Sequence, residues 1–125
     1  MKRVLLVDDE PELTEVVREY LLDAYDVVTA NSGTAALASV RQGPPDVVFL
    51  DISMPGPSGI DVLKELRRSH PTLPVIMVTV NTDVDVVQEC LRAGAFAYVP
   101  KPFDLKYVEH MAALATQAPR RTESA

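Results

Sequence analysis

Four apolar residues, Val4–Val7, run straight into three acids, Asp8, Asp9 and Glu10. Further along, a second apolar run ends at Asp51, a third at Thr79, and a fourth reaches Lys101 through Pro100. Carboxyl groups crowded at one place repel, and each raises the pKa of its neighbours. Two carboxylates delivered by separate apolar segments are costly unless they are paired or bound to metal. A hard divalent cation answers that need: Mg²⁺ is held by one or two carboxylates plus waters and substrate phosphate at about 2.1 Å. Asp8, Asp9 and Asp51 supply the carboxylates, and the backbone carbonyl of Ser53 could supply another oxygen. Lys101 brings a second positive charge and Thr79 a hydroxyl donor. These are the parts of a phosphoryl-transfer site, where positioning and charge neutralisation do most of the catalysis. A carboxylate can itself be the nucleophile and become an aspartyl phosphate.

The elements that must bring these residues together are legible as an alternation. Short apolar runs at residues 3–7, 26–30, 46–50, 74–78 and 96–99 read as strands, several of them continuous enough to be covered on both faces. Between them lie helical patterns. Leu13, Val16, Val17, Tyr20 and Leu21 share one face of the first. A short Ala-rich helix over residues 34–41 has Ser32 as a candidate cap. Ile60, Leu63 and Leu66 line the third. Val84, Val87, Cys90 and Leu91 line the fourth, which ends at Gly94. The fifth starts at Asp104, with Tyr107, Val108, Met111, Leu114 and Ala115 facing inward.

Five βα units demand a parallel sheet with right-handed crossovers and helices on both faces, a doubly wound α/β domain. In such sheets ligands bind beyond the carboxyl ends of the strands, where the winding reverses. Those ends carry Asp8, Asp9 and Glu10, then Asp51 and Ser53, then Thr79, then Lys101.

Each residue also has a plainer reading. Asp9, Pro11 and Glu12 have the pattern of a helix start, with cap, early proline and acid at the third position. Thr79 could satisfy a loop amide, Lys101 could be a solvated lysine, and Tyr98 could be plain core. Cys90 reads as a small core hydrophobe. These readings would all have to hold at once on one sheet edge, and none accounts for Asp8 together with Asp51.

Length and composition narrow the classes. With 125 residues the chain makes one domain with a sizeable core, and 47% hydrophobic with 24% charged residues suits a soluble globular protein. A formal charge of -6 argues against direct nucleic-acid binding by this domain. One cysteine allows neither an internal disulfide nor a thiolate metal site, and His70 and His110 have no partners at ligand spacing. No apolar run approaches the roughly 20 residues of a membrane span, and the opening MKRVLL lacks a signal-peptide pattern, so a cytoplasmic location is expected. Residues 119–125 (PRRTESA) read as a flexible tail or the start of a linker to an output domain, leaving residues 1–118 as the folded unit.

Taken together, VLLVDDE, FLDISMPGPSG, VTV and YVPKPF, in that order and at strand ends, resemble a response-regulator receiver domain of two-component signalling, over roughly Lys2 to Gln117. The resemblance implies a flavodoxin-like (βα)5 fold with strand order 2-1-3-4-5. It implies that Asp51 is the phosphoacceptor and that Asp8, Asp9, Asp51 and the Ser53 carbonyl hold Mg²⁺, with Mn²⁺ as an alternative. Lys101 would pair with the phosphoryl group, Thr79 would swing to hydrogen-bond it, and Tyr98 would repack inward behind Thr79. A cis Lys101–Pro102 bond would aim the lysine at Asp51. The donor would be a phosphohistidine on a sensor histidine kinase or phosphotransfer protein. The output would be the face of the fourth helix, fifth strand and fifth helix, through which the family also pairs as homodimers. Such a domain is a regulatory switch that catalyses only its own phosphorylation and dephosphorylation.

The sequence departs from the family pattern at Val80, where Ala or Gly is usual, and at Pro57, where an apolar Met or Leu is common. Ser53 and Asn81 stand at the variable positions that tune hydrolysis of the phosphoryl group. Three rival functions fit less well. A flavin or nucleotide binder needs a Gly- or Ser/Thr-rich turn after the first strand, not Asp-Asp-Glu-Pro. A Mg-dependent phosphohydrolase with an Asp nucleophile usually carries a second Asp at the place of Ser53. A pseudo-receiver interaction module would not need the full acidic set with Thr79 and Lys101.

Overall fold

The five apolar runs form strands β1 (Arg3–Val7), β2 (Asp26–Ala30), β3 (Val47–Asp51), β4 (Val75–Thr79) and β5 (Ala97–Pro100) in the computed structural model, which describes residues 1–54, 56–80 and 83–117. All pairings are parallel and the order is β2-β1-β3-β4-β5. The first two strands have the bounds expected from the sequence. The last three run one residue further, because Asp51, Thr79 and Pro100 keep their places in the ladder opposite Val78, Pro100 and Thr79. Every residue of β3 (VVFLD) and β4 (VIMVT) is buried. Side chains alternate across a strand, so each of these central strands feeds two cores.

The helices are α1 (Pro11–Leu21), α2 (Gly33–Gln42), α3 (Gly59–Ser69), α4 (Val84–Arg92) and α5 (Leu105–Gln117). One core joins Leu6, Phe49, Ile76 and Val99 of the sheet to Val17 and Leu21 of α1 and Val108, Met111 and Ala112 of α5. The other joins Leu5, Leu50 and Met77 to Ala36 and Val40 of α2, Leu63 and Leu66 of α3, and Cys90 of α4. Burying a Leu or Val side chain contributes about 1.5–3 kcal/mol, so two such layers hold the strand ends rigidly.

Local signals explain the helix ends. Ser32 Oγ accepts the Ala35 N–H at 3.1 Å, and Ser58 Oγ accepts the Asp61 N–H at 3.2 Å. Gly94 follows α4 with φ +101°, a conformation that glycine adopts without strain. Asp9 does not cap α1 as its sequence context suggested: the cap position is Glu10, which makes no side-chain cap bond, with Pro11 in the first turn. The expected inward stripes are narrower than read. Val16 and Tyr20 of α1 are 51% and 38% exposed, and Val84, Leu91, Tyr107 and Leu114 are exposed as well. Ala112, which a stripe of large residues overlooks, is fully buried against the sheet. No described helix is long and apolar enough to cross a membrane. Asn81 and the tail 119–125 lie outside the described residues.

Candidate functional site

The chain winds from β1 to β2 on one side and returns to β3 on the other, so the carboxyl ends of β1 and β3 flank the reversal point. Asp8 follows β1 and Asp51 ends β3, and both are buried, as is Thr79 at the end of β4. Lys101, just past β5, reaches back across this edge. Its Nζ lies 2.8 Å from Asp8 Oδ2, 3.4 Å from Glu10 Oε1 and 3.5 Å from Asp51 Oδ2. The Lys101 side chain is 11% exposed and that of Glu10 65%. Residues 93 positions apart thus share one ion-pair cluster.

Backbone bonds fix the frame. The Asp8 N–H donates to the Ala30 carbonyl at 3.1 Å, extending the β1–β2 ladder, and the Lys101 N–H donates to the Thr79 carbonyl at 2.7 Å. The Asp8 Oδ1 accepts the Glu10 N–H at 2.9 Å, and the Asp51 Oδ1 accepts the Ser53 N–H at 3.2 Å. Each buried carboxylate therefore spends one oxygen on a local amide and turns the other toward Lys101. The Lys101–Pro102 bond is cis, as the resemblance implied. Tyr98 is half-buried and packs against the core beneath α2, α3 and α4.

The electrostatics are opposed at the two partners. Burial raises the Asp51 carboxyl above its ordinary value; the Lys101 charge and the Ser53 N–H pull the other way, and the nearby Asp8 charge adds to the rise. Burial, the largest influence on Lys101, lowers its ammonium, yet the bond to Asp8 and the charges of Asp51, Asp8 and Glu10 together carry it above the usual lysine range. The Cys90 thiol is raised by burial and by the Glu89 charge, which leaves it an inert core group.

Asp8, Asp9 and Glu10 each offer a ligand oxygen within 4.8 Å of the others. Carboxylate oxygens at that spacing suit a hard divalent cation. Of the four groups expected to hold Mg²⁺, Asp8 and Asp9 lie in this cluster with Glu10, and Asp51 joins Asp8 through Lys101. Ser53 is exposed, with its amide rather than its carbonyl engaged at Asp51.

The packing gives two further residues a part in the site. Glu10 sits where an acid also suits the start of α1, and its link to Lys101 bridges 91 positions. Gly59 begins α3 directly on the end of β3: its N–H donates to the Ile52 carbonyl at 2.9 Å, and a Cβ there would lie 2.6 Å from the Ile52 Cα. A glycine at a helix start is the only local signal of that contact.

Comparison with known proteins points one way. The family described as the response regulator receiver domain matches residues 4–113. The transcriptional regulatory protein KdpE of Mycobacterium tuberculosis is 42% identical, over 100% of this chain and 54% of that protein. The probable transcriptional regulatory protein TcrX of the same organism is 43% identical, over 84% of this chain and 45% of its own length. The chain thus spans about half the length of these relatives. Among solved structures, the receiver domain of NtrX from Brucella abortus superposes with a TM-score of 0.87 at 31% identity, covering 93% of this chain and 99% of that one.

Proposed function

The chain belongs to the response regulator receiver domain family, and from that premise we propose that Asp51 accepts a phosphoryl group from a histidine kinase or phosphotransfer protein. The observation that carries this reading is the pairing of Asp51, buried at the end of β3, with Lys101 at 3.5 Å, beside the Asp8–Asp9–Glu10 cluster.

A carboxylate oxygen of Asp51 attacks the phosphorus of the donor phosphohistidine. The new P–O bond forms as the P–N bond breaks, and its electron pair leaves with the imidazole nitrogen. Lys101 stands where it can balance the charge of the transferred group and orient it. Asp8 and Asp9, with Asp51 and the Ser53 carbonyl, would hold Mg²⁺ or Mn²⁺. When bound, the cation supplies charge neutralisation on the transferring phosphoryl oxygens.

Phosphorylation adds nearly two negative charges at one point. The Thr79 hydroxyl turns to a phosphoryl oxygen, Tyr98 fills the space it leaves, and the α4–β5–α5 face changes shape, which sets partner choice or homodimer pairing. Residues 1–118 act as the switch, in the cytoplasm, with residues 119–125 as a tail or the start of a linker to an output domain.

The test is Mg²⁺-dependent labelling with acetyl phosphate, read by intact mass. The wild-type chain gains one phosphoryl group and Asp51→Asn gains none. Equal labelling of the Asn variant would place the acceptor elsewhere.

A further inference from the structure

The Lys101 ammonium has three N–H donors and three carboxylates around it, and only two of those carboxylates belong to the phosphoacceptor reading. Asp8 and Asp51 are buried and engaged by the chemistry proposed above; Glu10 stands at the rim, 3.4 Å from Nζ. Its carboxylate makes no cap bond to the helix it precedes. Its backbone is nonetheless tied to the site, because the Glu10 N–H donates to Asp8 Oδ1 at 2.9 Å.

The oxygen of Asp8 that is free of that amide is Oδ2, and Lys101 holds it at 2.8 Å. A cation that binds Asp8 must displace the ammonium or sit against it, and two positive charges a few ångströms apart repel. Lys101 cannot withdraw as a whole, because its backbone N–H is bound to the Thr79 carbonyl at 2.7 Å. Only the side chain can move. Two destinations remain: the space between Glu10 and Asp51, or solvent.

We infer that Glu10 is a positioning residue for Lys101, holding the ammonium beside Asp51 when a divalent cation takes Asp8. The inference rests on the reading of Asp8 and Asp9 as cation ligands. It makes loading of the metal and placement of the lysine one coupled event, with the exposed Glu10 as the tether. The competing role for Glu10 is that of a third cation ligand, which its distance from Asp8 and Asp9 also permits.

A double-mutant cycle on Mg²⁺ affinity separates the two roles, read from amide chemical shifts of the unphosphorylated chain. With Lys101 present, Glu10→Gln should weaken Mg²⁺ binding about tenfold, because the displaced ammonium loses its resting place. In the Lys101→Met background the same substitution should cost less than about threefold, leaving only the loss of a rim charge. A tenfold loss in both backgrounds would make Glu10 a metal ligand and overturn the inference, and so would no loss in either. Crystals of the wild-type chain soaked in Mg²⁺ give a second reading that no variant's stability affects. Nζ should lie within hydrogen-bonding distance of Glu10 and Asp51, and an ammonium in solvent would refute the tether. Failure of the wild-type chain to bind Mg²⁺ at all would instead remove the cation site from the phosphoacceptor reading, and this inference with it.

Discussion

Gly59 and Asp51 touch through their backbones: a Cβ on Gly59 would lie 2.3 Å from the Asp51 carbonyl oxygen. Helix α3 therefore starts against the end of the strand that carries Asp51, with no room for a side chain, and backbone cannot move aside as a flexible side chain can. Gly59→Ala should destabilise the fold by about 3 kcal/mol through overpacking and slow labelling of Asp51 by displacing its carboxylate. Gly56 is the control. It has φ +80° and open space around its α-carbon, so Gly56→Ala should cost only about 1–2 kcal/mol of backbone strain. Urea midpoints and labelling rates of the two variants check this; equal behaviour would remove Gly59 from the site.

The buried state of Asp51 predicts a pH dependence. Its carboxyl is raised in the folded chain, chiefly by burial, against the opposing pull of Lys101. The folded state then holds that proton more tightly than the unfolded state. Between the ordinary carboxyl value and the raised one, folded molecules carry more protons, so stability falls as pH climbs through that window. Asp51→Asn lacks this component. Urea midpoints measured across the acid range should show the wild-type chain losing stability relative to Asp51→Asn as pH rises through the window. Parallel curves would mean that burial does not raise Asp51.

The strand ends were readable because continuous apolar runs of β-branched residues have few alternatives to a doubly covered parallel strand. What closed each run was less readable. Asp51 and Thr79 are polar, so a hydropathy pattern leaves them outside, yet their backbones still pair in the ladder and their side chains are buried. The acids and the lysine could be assigned to one edge from topology alone. The particular pairing of Lys101 with Asp8 rather than Asp51 as its nearest partner is a tertiary outcome across 93 positions. Glu10 is hard to read for the opposite reason: an acid beside a helix start already has a local role with the helix dipole. Large apolar residues at helical spacing predict a wider inward stripe than the packing uses.

That last difference has an energetic consequence on α1. Leu21 is fully buried between the helix and the sheet, whereas Val16 and Tyr20 lie at its open flank. Leu21→Ala should cost about 3 kcal/mol, from lost transfer energy plus the cavity left behind. Val16→Ser and Tyr20→Ser should each stay within about 0.5 kcal/mol of wild type. Thermal or urea unfolding of the three variants decides the matter. A large loss at Val16 would mean that this flank is covered by something in solution, a second copy included.

In the proposed switch Thr79 joins the two halves, and its side chain and backbone can be separated by mutation. The Thr79 carbonyl accepts the Lys101 N–H at 2.7 Å, a bond that Thr79→Ala leaves intact. The variant should therefore keep Lys101 in place, lose about 1 kcal/mol of stability for the missing hydroxyl contacts, and still take up phosphate on Asp51 with at most a few-fold change in rate. What it should lose is the response. On adding beryllofluoride with Mg²⁺, amide shifts at Tyr98 and Val99 of β5 should move in the wild-type chain and stay near their resting positions in Thr79→Ala. Thr79→Ser, which keeps the hydroxyl, should restore the movement. If β5 responds fully without that hydroxyl, the charge on Asp51 reaches the α4–β5–α5 face by another route, with Lys101 the next residue to test because its backbone follows β5 directly.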